Sequence, residues 1–177
     1  WIDLGASIPT APNMSISSTN IENSNLIFEL KGYSLDSHMI DNIEYFSVNF
    51  PNGAFLLEEG NPNLQKFSTS IIIPDDKNME IEIISSEYVE IENINIIPSK
   101  GNLSRLVNPE DIEYSFSDVY NQNNFFPREI AVLNDPYILR DYRGQVVQVN
   151  PMRYNPITKI LRIYTHIELQ VSSNEEP

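Results

Sequence analysis

The sequence predicts an all-β fold, an antiparallel β-sandwich of jelly-roll type with little or no helix. Short apolar runs recur along most of the chain, several alternating with polar residues at period two, the mark of strands buried on one face. Turn-forming clusters such as Pro51-Asn52-Gly53, Pro74-Asp75-Asp76 and Asn155-Pro156 separate them at intervals of about ten residues. No segment carries a convincing apolar stripe at helical spacing. With 177 residues and 41% hydrophobic content, the chain can bury one sizeable core, so a single domain is expected.

Taken in order, residues 1–24 are rich in Ser, Asn, Pro and Ile without periodicity and read as an irregular N-terminal arm. Residues 25–177 read as one sandwich domain. Its first strand candidate is residues 25–31, closed by Gly32, and residues 35–38 read as a loop. Residues 43–50 form the next strand, ended by the Pro51-Asn52-Gly53 turn before a short apolar run at 54–57. Residues 67–73 are bounded by Pro74-Asp75-Asp76, residues 79–83 alternate at period two, and residues 88–92 continue the theme up to Pro98. Residues 129–134 read as one helical turn. Residues 137–140 and 145–149 read as two strands joined by a turn at Asp141-Tyr142-Arg143-Gly144. Asn155-Pro156-Ile157-Thr158 is the tight connection into the last strand, because Asn favours turns and Pro fixes its φ. That strand, residues 159–171, places Leu161, Ile163, Thr165, Ile167, Leu169 and Val171 on one face. Arg162, Tyr164, His166, Glu168 and Gln170 fall on the other, wetter face.

Charge and composition exclude several functions. Eleven Lys plus Arg against 25 Asp plus Glu give a formal net charge of −14. Such a surface repels nucleic acid and anionic membranes, and it permits long-range attraction to a basic partner. No Cys is present, so there is neither a disulfide nor a thiol nucleophile. No apolar run reaches the ~18 residues that a membrane span needs, and no membrane insertion is expected. The sequence begins at Trp1 without a Met or a basic-plus-apolar leader, which fits a signal peptide that has been removed or left out.

Catalytic candidates are poor. His38 and His166 are the two histidines, no GxSxG elbow accompanies the serines, and His166 sits mid-strand among polar neighbours. Asp75, Asp76 and Asn78, or Glu110, Asp111 and Glu113, offer oxygen ligands without the spacing of a calcium loop, so neither a metal nor a cofactor is expected. Among Tyr114, Phe116, Tyr120, Phe125 and Phe126, Phe125 reads as core, whereas Phe126 and the neighbouring Arg128 are candidate partner contacts. Arg140, Asp141 and Arg143 read as a locally bonded turn, with guanidinium groups on backbone carbonyls and carboxylates. The segment that stands out is residues 98–109, PSKGNLSRLVNP, a polar, turn-rich loop carrying two basic side chains in an acidic chain. Ser99, Gly101, Asn102, Leu103 and Ser104 surround Lys100 and Arg105, and the small polar residues among them let the loop extend and project its longest side chain.

The strings Ser99-Lys100-Gly101, Phe125-Phe126-Pro127, Arg140-Asp141-Tyr142-Arg143-Gly144-Gln145 and Tyr154-Asn155-Pro156 occur in that order. Over roughly residues 54–171, and densely from Ile97, the chain thereby resembles the amino-terminal propeptides of gingipain-type cysteine peptidases. The resemblance implies an inhibitory and folding-assisting prodomain of a secreted peptidase, passing through the periplasm to the cell surface or beyond. It implies the catalytic domain of that peptidase as partner, with Arg105 presented to the S1 pocket as an uncleaved pseudo-substrate. Lys100 is the competing anchor and would imply a Lys preference instead. Two departures stand out. Arg128 occupies a position where the family has Gly after Phe-Phe-Pro, and Pro177 follows Asn174-Glu175-Glu176 without the family's basic cleavage point. The reading from a different class is a freestanding β-sandwich adhesion or carbohydrate-binding module that uses exposed aromatics.

Overall fold

The computed structural model describes residues 1–174; the acidic end at residues 175–177 lies outside them. Thirteen strands carry the fold: β1 (Ile2–Asp3), β2 (Asn13–Asn20), β3 (Asn23–Glu29), β4 (Gly32–Ile40), β5 (Ile43–Asn49), β6 (Ala54–Phe55), β7 (Gln65–Ile73), β8 (Met79–Ile91), β9 (Ala131–Leu133), β10 (Tyr137–Leu139), β11 (Tyr142–Val149), β12 (Met152–Asn155) and β13 (Ile160–Ser173). Helical structure among the described residues is confined to two 3-10 turns, Pro109–Asp111 and Asp118–Asn121. The all-β expectation holds.

The strands form three antiparallel sheets, ordered β1-β4-β5, β10-β11-β7-β6 with β9 on β11, and β12-β13-β3-β2 with β8 on β13. The inner faces of the two larger sheets share one core. Leu26 and Phe28 of β3 lie opposite Leu169 and Ile167 of β13, all fully buried. Ile71 and Ile73 of β7 and Val147 and Val149 of β11 join them from the other sheet. The rings of Phe28 and Phe67, 5.7 Å apart and tilted, connect the two layers.

Several local expectations change. Within residues 1–24, β2 pairs along β3, from Asn13 opposite Glu29 to Asn20 opposite Asn23. Apart from the half-buried Met14, its described side chains are exposed, so its sequence carries little of the signal of a buried face. Residues 35–38 belong to β4, which Gly32 opens, and Asp41 and Asn42, at φ 49° and 65°, make the tight hairpin turn into β5. The run expected as a helical turn contains β9, held by pairing of Ala131 with Val149 and of Leu133 with Val147. The two candidates at 79–83 and 88–92 are one strand, β8, along β13. The β10–β11 turn is tighter than expected: Arg140 sits at φ 57°, and Tyr142 is already paired with Leu139. Arg143 donates from Nη1 to the carbonyls of Pro74 (2.9 Å) and Lys77 (2.6 Å), a local structural role. A register shift between Tyr164 and His166 breaks the face assignment in β13 and buries Tyr164 against Tyr88.

Candidate functional site

The loop at 98–109 leaves a stem that is tied on both sides. After β8, Ile94, Ile96 and Ile97 turn into the core, so residues 94–99 pack instead of wandering over the surface. On one side Phe46 of β5 donates its N–H to Asn95 O at 2.8 Å and accepts from Ile97 N–H at 3.0 Å, a parallel bridge. On the other, Asn63 N–H donates to Ile97 O (2.9 Å), Ser99 N–H to Asn61 O (2.8 Å) and Gly60 N–H to Ser99 O (2.9 Å). Two phenols fasten the stem from below. The Tyr154 hydroxyl donates to Ile94 O at 2.8 Å and the Tyr120 hydroxyl to Ile96 O at 2.7 Å. Burial pushes the Tyr154 phenol up to about 12 and that of Tyr120 further, so both remain donors throughout the neutral range.

The same fastening reaches the segment that returns from the loop. Ser117 N–H donates to Gly60 O at 3.0 Å, and its hydroxyl donates to Asn61 Oδ1 at 2.5 Å. The Gly60–Asn61 turn therefore rivets together the outgoing and returning limbs. Ser99 is buried, and its Oγ accepts from Gly101 N–H at 3.0 Å, bending the chain outward. Gly101 itself sits at φ +81°, with Glu59 Cβ 3.1 Å from where a Cβ would stand. Gly101→Val should therefore destabilise the domain by about 1–3 kcal/mol through backbone strain and the close approach. A thermal melt reads this, and a midpoint equal to wild type would contradict it.

Beyond Gly101 the chain is mostly exposed, with Asn102 in solvent and Leu103 half-buried. Residues 104–107 close a turn. Val107 N–H donates to Ser104 O at 3.0 Å, and Leu106 N–H donates to Ser104 Oγ at 3.3 Å. Arg105 and Leu106 are its two central residues, and Leu106 is 97% exposed. Arg105 is exposed, and among the described residues no hydrogen bond or ion pair engages its guanidinium. Asn108 then caps the 3-10 turn at Pro109–Asp111 by accepting from Glu110 N–H.

Lys100 is placed differently from Arg105. Its Nζ donates to Pro109 O at 2.6 Å and lies 4.2 Å from the centre of the Tyr114 ring. Next to it a cleft of about 340 Å³ is lined by residues that include His38, Phe55, Leu57 and Tyr114. His38 Nε2 is 3.0 Å from Ser47 Oγ there, while His166, on another sheet, lies 3.9 Å from a Glu29 oxygen. Among the described residues, no carboxylate hydrogen-bonds to the His38 ring to complete a base–nucleophile relay with Ser47. Among the described residues, no group of three or more His, Cys, Asp or Glu side chains is placed to hold a metal.

Phe125, expected in the core, and Phe126, a candidate partner contact, are both half-buried. Phe126 packs against the core and pairs in a backbone bridge with Tyr154, whereas Phe125 lies under the guanidinium groups of Arg162 (4.3 Å) and Arg153 (5.5 Å). The strand pairing of Phe126 pulls its ring inward and turns its neighbour out toward the cations. Arg128 is exposed, and its carbonyl accepts from Arg153 Nη2 at 2.7 Å. Sequence reasoning missed the Gly60–Asn61–Ser117 rivet and the role of Tyr114. Gly60-Asn61-Pro62 carried a turn signal, but nothing local tied it to residues 99 and 117.

A family model described as Propeptide_C25 matches residues 9–177. The chain belongs to this family. It is thus a propeptide of the gingipain type and not a catalytic domain. Gingipain R1 of Porphyromonas gingivalis is 44% identical across 77% of this propeptide, and gingipain R2 of the same organism is 42% identical across 77%. These matches take up 15% and 20% of those relatives, so the propeptide spans a small part of their length. A chain in the solved complex of the P. gingivalis RgpB pro- and mature domains superposes with a TM-score of 0.88 at 38% identity, covering 92% of this propeptide and 86% of that chain. A chain from the structure on zymogenic latency of gingipain K shares the fold, with a TM-score of 0.78 at 17% identity over 99% of this propeptide and 98% of that chain. No helix among the described residues is long and apolar enough to cross a membrane.

Proposed function

We propose that this propeptide inhibits the catalytic domain of a secreted gingipain-type cysteine peptidase by placing Arg105 in its S1 pocket, and that it assists the folding of that domain. The observation that carries the reading is the position of Arg105: an exposed guanidinium, without a hydrogen-bond or ion-pair partner among the described residues, at the tip of a closed turn on a fastened stem. A guanidinium presents a rigid fork of donors that matches a pocket carboxylate at two points, which fixes register and adds energy. Because the stem is already ordered, little conformational entropy is lost on docking. The partner is expected to prefer Arg at P1. The similar RgpB prodomain occurs in complex with a mature domain.

The turn also supplies a reason for inhibition without rapid cleavage. Peptidases of this kind act on extended chain, yet the Arg105–Leu106 bond lies in the middle of a bend that Ser104 closes through both its carbonyl and its hydroxyl. The alternative reading as a sugar-binding module loses part of its platform, because the Tyr120 hydroxyl is bonded to Ile96 O, Phe126 is packed inward and the Phe125 ring lies against two guanidinium groups, while Phe116 stays exposed beside Tyr45 and Tyr120.

The reading is tested by titrating the mature peptidase of the same precursor with the purified domain and with Arg105 variants. The formal charge of −14 adds a second measurable feature. If it steers encounter with a basic enzyme surface, the association rate should fall roughly tenfold or more between low and high ionic strength. A rate that stays flat would remove charge from the mechanism and leave the Arg105 contact in place.

A further inference from the structure

We propose that Lys100 is a positioning residue that staples the inhibitory loop shut, so that Arg105 is offered as an inhibitor and not as a substrate. The proposal rests on the reading of Arg105 as the anchor. Lys100 is the first residue beyond the fastened stem, and Pro109 opens the 3-10 turn by which the chain returns. A single ammonium group joins them, donating to Pro109 O at 2.6 Å while lying 4.2 Å from the centre of the Tyr114 ring on the returning limb.

The other hydrogen bonds inside the excursion are local. Val107 and Leu106 bond to Ser104, and Glu110 to Asn108, each spanning two or three residues. Among the described residues, Lys100 makes the one hydrogen bond that crosses from the first residue of the loop to its last. Opening a loop of about ten residues releases backbone entropy from each residue freed, and a charged hydrogen bond with a ring contact opposes that release. An ammonium so engaged is also withdrawn from competition for the S1 pocket, which leaves Arg105 as the loop's exposed cation.

The functional consequence follows from the chemistry of proteolysis. Hydrolysis breaks the Arg105–Leu106 amide and adds one water, leaving a carboxylate on Arg105 and an amine on Leu106. It requires the chain on both sides to lie extended in a cleft. A loop held at its base resists that extension, and a loop freed at Lys100 accommodates it.

Two variants separate the staple from the anchor. Lys100→Met keeps an unbranched stem against Tyr114 but has neither donor nor charge, and Lys100→Arg keeps both. Limited digestion with trypsin, followed by mass spectrometry, reads the rate of cutting at Arg105–Leu106 without using the cognate enzyme. Lys100→Met should be cut roughly 5- to 30-fold faster than wild type at an unchanged melting temperature, with Lys100→Arg close to wild type. Against the mature peptidase of the same precursor, Lys100→Met should begin as an inhibitor and be converted to product cut after Arg105. Cutting of Lys100→Met at the wild-type rate by trypsin would overturn the staple whatever Arg105 does. Full potency of Arg105→Ala would overturn the anchor and leave the trypsin result for the loop standing.

Discussion

Arg105→Ala should weaken inhibition of the cognate peptidase by roughly 30- to 4,000-fold while the domain melts as wild type does. The magnitude comes from the partner left behind. Removing one member of a buried, hydrogen-bonded charge pair costs about 2–5 kcal/mol, much of it the penalty of an unpaired carboxylate in a desolvated pocket. Arg105→Lys should fall between, because an ammonium supplies charge without the planar two-point contact. Stability is spared because Arg105 is exposed and, among the described residues, makes no hydrogen bond or ion pair. The measurement is an inhibition titration of each purified variant beside a melting curve. Equal potency of wild type and Arg105→Ala would refute the assignment.

Phe28→Ala should give the opposite signature. Phe28 is fully buried in β3, opposite Ile167 and 5.7 Å from the Phe67 ring in the facing sheet. Truncation removes the ring from both layers and leaves a cavity, at a cost of about 3–5 kcal/mol. For a domain of this size that lowers the melting midpoint by roughly 6–20 °C. At a temperature where the variant is still folded, its inhibition constant should match wild type, because the stem under Arg105 is fastened by other residues. A midpoint within about 2 °C of wild type would show that the two sheets close over the gap.

Much of the fold was legible because half-buried strands write themselves into the sequence at period two. β13 and the first part of β8 were found on that signal, while β3, β5, β7 and β11 were read as apolar runs bounded by turn residues, within a few residues of their observed bounds. What escaped was decided at a distance. β2 is strand because β3 offers it partners, and its own Ser-rich pattern is that of a loop. Tyr164 is buried because a shift in the β8–β13 register interrupts the alternation that placed it outside. The loop was legible as a polar, basic interruption, and the family resemblance singled out Arg105. Lys100 read as its rival, since a sequence shows two cations five residues apart and not the carbonyl of Pro109 beside one of them.

The pairing of β13 sets the order in which these parts become useful. β13 carries β12 and β3 end to end along one edge and β8 along the other, so three separate stretches of chain depend on it. It is also the last of the described strands in chain order. Until β13 docks, β3 lacks the partner that buries Leu26 and Phe28. Topology of this kind, dominated by pairings distant in sequence, makes folding a late and single event. Until the final strand closes the sheet, the loop that bears Arg105 lacks the stem that Tyr154 and Lys159 help to fasten.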